Sequence, residues 1–237
     1  MYLMRGLPGS GKSTLVKELL KKFNKDDDCV FSTDNFYIPV TKKIQNLLKT
    51  DNSSLEEVIK LSQEIFDIWN SSNKYEEKNL NLDLYLKFNK LFNDGKYEES
   101  ILFVKNNSFF EYLEYCNNFS VTKCGMFHKQ NFNNFKKAID DKKELVIVDN
   151  TNVSLKEGSK YIKYAHENKY DIEIKEPESP HWKKHVHILK HKDGSELKEF
   201  INILFEKNKH GVPKDVILNM ANKWFYKPTI KDFLKHD

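Results

Sequence analysis

The sequence predicts an α/β protein built on a parallel sheet of four to five strands and carrying a large helical insertion. Three observations lead there. A glycine-rich stretch, Gly6-Leu7-Pro8-Gly9-Ser10-Gly11-Lys12-Ser13, separates an apolar run from an amphipathic segment. Two later apolar runs each end close to an aspartate, Asp34 and Asp149. Between these runs, from about Thr41 to Thr122, apolar residues recur at helical spacing, with no proline and with Gly95 as the one glycine.

Met1 to Met4 reads as a first buried strand, and Leu15 to Phe23 as the helix that follows the glycines. The stretch between them matches G-x-x-x-x-G-K-[ST] at every fixed position. Glycines let such a loop curl until several backbone N–H groups face one anion, and a helix N-terminus adds its positive end. Gly9, Ser10, Gly11, Lys12, Ser13 and Thr14 are therefore the expected nucleotide-binding residues. Lys12 would reach the β- and γ-phosphates, and the Ser13 hydroxyl would hold Mg²⁺. The expected ligand is a nucleoside triphosphate.

Cys29 to Ser32 reads as a second strand, followed by Thr33-Asp34-Asn35-Phe36-Tyr37. Ligand-facing residues of open parallel sheets lie just beyond the carboxyl ends of the strands. Asp34 is then either an acid that accepts the proton of an attacking hydroxyl or holds a metal water, or a cap of the next helix. In the insertion, Leu55, Val58, Ile59, Leu61, Ile65, Phe66 and Ile68 form one helical series, and Leu80 to Phe92 a second. Three or four helices are expected, with polar joints near Asn70 to Asn73, Asn93 to Gly95 and Lys105 to Ser108. Their aromatic residues read as core rather than as a base-stacking surface. The insertion would cover an active site, bind substrate or bind a protein partner.

Phe127 to Ile139 reads as a helix leading into Glu144-Leu145-Val146-Ile147-Val148-Asp149, a strand with a terminal carboxylate. Asp149 is either the second acid that organises Mg²⁺ or a helix cap. Ser154 and Glu157 have capping-box spacing before a helix that runs to about Asn168. Tyr170 to Lys175 alternates like a strand. His181, His185, His187 and His191, among lysines, raise the possibility of a zinc site. With no cysteine or carboxylate pair nearby, they read instead as an exposed polar hairpin. Glu196 to Lys209 and Val216 to Phe225 read as helices joined at Gly211-Val212-Pro213. Lys207, Lys209 and His210 lie at that joint, either as cations that close over a triphosphate or as lysines at a helix C-terminus.

The 237 residues, 39% hydrophobic and 31% charged, suit one globular domain with an insertion. No apolar run spans a bilayer, so no membrane is expected as a partner, and a loop beginning at residue six leads us to expect no leader. Cys29, Cys116 and Cys124 lack disulfide or metal spacing, which points to a reducing, cytoplasmic compartment. Up to Ser154 the charges balance, 22 basic against 22 acidic; the remainder carries the whole net charge of +4. That bias is open to two readings, a surface that meets phosphates or ordinary solvated helix faces.

In this order, Gly6 to Thr14, Ser32-Thr33-Asp34-x-Phe36, Val146 to Asn152, Glu176-Pro177 with Trp182, and Asn208-x-His210-Gly211-Val212-Pro213 resemble the polynucleotide-kinase-like P-loop kinases. The resemblance is to the Nedd-four-binding-protein-two-like branch, related to the kinase domain of phage polynucleotide 5′-kinase. It covers roughly residues 1–37 and 125–226. It implies a three-layer P-loop NTPase/kinase fold, ATP with Mg²⁺, and Asp34 as general base toward the 5′-hydroxyl of a single-stranded or end-exposed nucleic acid. The implied core is residues 1–40 and 125–237, with a lid near 196–213 and the insertion at 41–124. Relatives usually carry arginine in the lid, whereas here Glu206-Lys207-Asn208 leaves only Lys207, and lysine makes no two-pronged phosphate contact. A kinase acting on a small molecule or nucleoside, and an ATP-binding switch with weak hydrolysis, are the competing expectations.

Overall fold

A computed structural model describes residues 1–49, 53–71, 82–192 and 194–236. Ser72, Asn73 and Leu80, which figured in the expected joints and apolar series, lie outside the described residues. The chain divides into two compact units, one made of Met1–Thr33 with Thr122–Asp237, the other of Asp34–Val121.

The first unit is built on four parallel strands, β1 (Tyr2–Met4), β2 (Val30–Phe31), β3 (Ile147–Asp149) and β4 (Glu173–Lys175), in the order β2-β3-β1-β4. Met4 pairs with Asp149 on one side and Lys175 on the other, so the three strands end level. Strand alternation sends Leu3, Phe31 and Val148 to one face and Tyr2, Met4 and Ile147 to the other. The first set packs on α7 (Val121–Asp140), α8 (Leu155–Glu167) and α13 (Ile230–Lys235), through Phe135, Ile162 and Phe233. The second packs on α1 (Lys12–Phe23), through Leu15, Val16 and Leu19. Helices therefore cover both faces, and while the edge strand β4 alternates, β1, β2 and β3 run apolar up to Asp149 with side chains buried on one face or the other. Each such side chain contributes about 1.5–3 kcal/mol by leaving water.

A further apolar cluster gathers α9 (Pro180–His185), α10 (Ile188–His191), α11 (Gly194–Glu206) and α12 (Lys214–Asn222). It takes in Leu7 of the glycine loop and Val153, so the loop is anchored in the same core as these helices. Residues 181–191 are thus not an exposed hairpin but two short helices. Pro180 occupies the first helical turn, the Ser179 hydroxyl caps it by accepting from the Trp182 N–H, and Trp182, Ile188 and Leu189 are buried. The capping box expected at Ser154 does not form. Ser154 makes no side-chain cap bond, and Glu157 Oε2 reaches one residue further back, to the Val153 N–H at 2.9 Å. Helix α7 begins earlier than the sequence periodicity indicated, because its first turns expose Val121 and Met126 and carry no apolar stripe.

The second unit is helical. Its described elements are α2 (Pro39–Leu47), α3 (Leu55–Ser71), α4 (Leu82–Asn93), α5 (Tyr97–Lys105) and α6 (Ser108–Asn118), one more than the upper expectation. The extra element is α2, which starts at Pro39, ahead of the expected insertion. The core of the unit is Trp69 ringed by Phe88, Phe109, Phe110 and Tyr85. The aromatics in this ring are core, as read from their spacing. Glu114 of α6 is fully buried and caps α2 from a distance, accepting the Val40 N–H at 2.6 Å, the Thr41 N–H at 2.8 Å and the Thr41 hydroxyl at 2.7 Å.

Candidate functional site

The glycine loop leaves β1 at its carboxyl end and turns directly into α1. Two positions in it demand glycine. Gly9 (φ 76°) has the Leu204 carbonyl oxygen where a Cβ would stand, and Gly11 (φ 101°) has Ser179 Cβ at 3.2 Å. The Lys12 ammonium folds over the loop and donates to the Gly6 carbonyl at 2.8 Å and the Leu7 carbonyl at 3.4 Å. Gly11 is the N-cap of α1 and, lacking a side chain, caps nothing; the first turn of α1 holds no acid, while Lys21 and Lys22 sit in its last turn. The positive end of the helix is therefore left for an external anion. The buried Ser10 hydroxyl has no hydrogen-bond partner among the described residues. Ser13 and Thr14 are exposed on the first turn.

The loop after β3 braces this arrangement. The Gly6 N–H donates to the Thr151 carbonyl at 3.1 Å. Asn152, buried and left-handed (φ 42°), donates from Nδ2 to the Met4 carbonyl at 2.7 Å. Asn150 Oδ1 accepts the Thr33 N–H at 3.0 Å, tying the end of β2 to the same loop. Asp149 ends β3 beside Met4 and is half-buried; the N-cap of α8 is Ser154, so Asp149 is not that helix's cap.

Arg5, the one arginine of the chain, is fully buried between these pieces. Its Nε donates to the Asn152 carbonyl at 2.9 Å, one terminal nitrogen to Glu176 Oε1 at 2.9 Å, and the other to the carbonyls of Val153 at 3.3 Å and Phe225 at 2.8 Å. Its guanidinium also lies 4.2 Å from the Trp224 ring centroid. Burial pulls the Arg5 pKa down to about 10, against the opposing pull of Glu176 and Glu157. Burial likewise pushes Glu176 up, against Arg5. Sequence reasoning missed Arg5 and Asn152. The signal available was a lone arginine immediately before the glycines.

The end of α11 lies against the loop, with Asn208 N 3.2 Å from the position of a Gly9 Cβ. Asn208 orders the joint that follows, donating to the Val212 carbonyl and accepting the His210 N–H. Lys207 is exposed on this segment. The first unit thus brings together Gly9 to Thr14, the Leu204–Asn208 segment and, at the strand ends, Asp149. Asp34 belongs to the second unit. It lies in the tight turn Thr33–Tyr37, where the Tyr115 hydroxyl donates to its Oδ1 at 3.3 Å, and the N-cap of α2 is Ile38, not Asp34.

Ser13 and Asp149 offer oxygen donors of the type Mg²⁺ takes. Among the described residues no three His, Cys, Asp or Glu side chains converge as a metal-holding group. None of the helices described is long and apolar enough to cross a membrane. No protein-family model matches the chain, and no solved structure matches it.

Proposed function

We propose that this protein is a P-loop kinase that transfers the γ-phosphoryl group of ATP to a hydroxyl, the 5′-hydroxyl of RNA or DNA being the acceptor. The observation that carries the reading is the glycine loop. It joins a central parallel strand to an uncapped helix N-terminus, with Gly9 and Gly11 at positive φ and Lys12 folded over it. That conformation suits a triphosphate, since a helix end and an ammonium lie on one loop with no competing acid in the first turn.

In this reading Lys12 holds the β- and γ-phosphates and Lys207 adds charge from the α11 end. Ser13 and Asp149 would hold Mg²⁺, which would supply positive charge against the phosphates. Asp34 accepts the acceptor's proton as its oxygen bonds to the γ-phosphorus. The bond from that phosphorus to the bridging oxygen breaks, and ADP leaves. Most of the rate gain comes from positioning and electrostatics. The nucleic-acid acceptor rests on the resemblance described above and on the basic bias of residues 155–237. The compartment that fits the three unbridged cysteines is a reducing, cytoplasmic one.

The test is transfer from γ-labelled ATP with Mg²⁺ to 5′-hydroxyl RNA and DNA oligonucleotides, with Lys12→Ala as control. Label on an oligonucleotide, lost in the control, supports the reading and ranks RNA against DNA. Nucleotide binding without label on either strand would move the acceptor to a small molecule.

A further inference from the structure

Two residues outside the glycine motif grip its backbone. The Ser179 hydroxyl donates to the Ser10 carbonyl at 2.8 Å, and His181 Nε2 lies 2.9 Å from the Gly9 carbonyl. A carbonyl only accepts, so the proton must sit on His181 Nε2. The same hydroxyl oxygen of Ser179 accepts the Trp182 N–H, at 3.3 Å, and lies 3.3 Å from His181 Nε2. His185 Nδ1 in turn lies 2.8 Å from the His181 carbonyl, and its ring stacks on buried Phe200, so the short helix carrying the pair is itself fixed.

The consequence follows from peptide geometry. In a trans peptide the C=O and the next N–H point in opposite directions. Holding the Ser10 carbonyl toward Ser179 therefore turns the Gly11 N–H the other way, and holding the Gly9 carbonyl toward His181 turns the Ser10 N–H inward, where it donates to the Leu7 carbonyl at 3.1 Å and closes the loop. Gly11 at φ 101° has little stiffness of its own; an outside contact must choose the orientation. Lys12 already occupies the Gly6 and Leu7 carbonyls, so four carbonyls of the loop are taken by side-chain donors.

We propose that Ser179 and His181 form a clamp that sets the peptide planes of the glycine loop for anion binding, making both positioning residues of the nucleotide site. The clamp rests on the nucleotide reading above and deepens it.

The test is ATP affinity, by titration calorimetry, of the whole protein and two variants. His181→Phe keeps a ring and loses the donor, whereas Gln in the same place restores an N–H donor. The expected result is roughly tenfold weaker ATP binding by His181→Phe, in line with the loss of one or two oriented contacts. His181→Gln should recover most of that affinity, and thermal midpoints should separate binding loss from unfolding. In addition, the ¹⁵N spectrum of the His181 ring should show protonated Nε2 at neutral pH. Wild-type affinity in a folded His181→Phe overturns the clamp and leaves the nucleotide reading intact. Equal weakening in both variants also overturns it, since the ring and not the donor would matter. An absence of ATP binding in the wild type overturns the nucleotide reading and the clamp with it.

Discussion

Arg5 and Glu176 meet at 2.9 Å with the arginine wholly out of solvent, immediately before the glycine loop and immediately after β4. The pair joins the ends of two neighbouring strands. Both partners are shifted away from their charged forms by burial, so it does not earn its place through Coulomb attraction alone. Its geometric yield is greater: one guanidinium holds Asn152, Val153 and Phe225 in place. Arg5→Ala is expected to cost about 3–5 kcal/mol, because it leaves those carbonyls and Glu176 without their donor. Lysine has neither the fork nor the reach, so Arg5→Lys should recover less than half. Urea unfolding of both variants checks this.

Gly9→Ala addresses the loop from the other side. A methyl group there collides with the backbone carbonyl of Leu204, which cannot swing away as a side-chain tip could. The left-handed backbone adds its own strain of about 1–2 kcal/mol. ATP affinity should fall by more than tenfold, and the end of α11 should become exchange-labile. Hydrogen exchange at Leu204 to Asn208 reports the second effect, and unchanged exchange there would contradict the close contact.

Glu114 gives the stability of the second unit a pH dependence of definite sign. Burial raises its folded pKa above the ordinary 4.5, although the Thr41 and Val40 groups oppose the shift. Above pH 4.5 and up to that raised value, the folded protein binds more protons than the unfolded chain. Stability from this group therefore falls as pH climbs through the window. Relative to Glu114→Gln, the wild type should lose stability as the pH rises above 4.5. Denaturant midpoints of the two proteins across that range measure the difference.

Asp34→Asn separates binding from chemistry. If Asp34 accepts the acceptor's proton, the variant binds ATP as the wild type does and transfers phosphate about 10²-fold to 10⁴-fold more slowly. The Asn side chain can still accept the Tyr115 hydroxyl, so the local hydrogen bond at 3.3 Å survives. Transfer at the wild-type rate would remove Asp34 from the chemistry.

Much of this was legible because local signals carried it. The strand–glycine–helix order, the apolar run ending in Asp149 and the helical spacing of Leu55 to Ile68 each depend on neighbours in sequence. Asn152, Ser179 and His181 were illegible for the opposite reason: the strand and loop carbonyls they bond lie 148 or more residues away. Arg5, whose partners are as remote, had one local mark, its place as a lone arginine before the glycines. The misread hairpin has a different cause. Alternating histidines and lysines dominate residues 181–192, and they mask Trp182, Ile188 and Leu189, which decide the structure by going into the core. Ser154 and Glu157 failed as a box because the carboxylate found a better-placed N–H one residue upstream.

The strand order has a consequence for the order of events during synthesis. The neighbours of β1 in the sheet are β3 and β4, so Tyr2 waits for Ile147 and Glu173. The helices of Asp34–Val121 lie wholly between, and their contacts are complete as soon as α6 has emerged. The second unit is therefore free to fold while β1 and the glycine loop are still unpaired. A nascent chain that has emerged as far as residue 150 would display the helical unit and a strand β1 with β3 but not β4 beside it. The glycine loop is therefore among the last parts of this chain to gain both of its flanking strands.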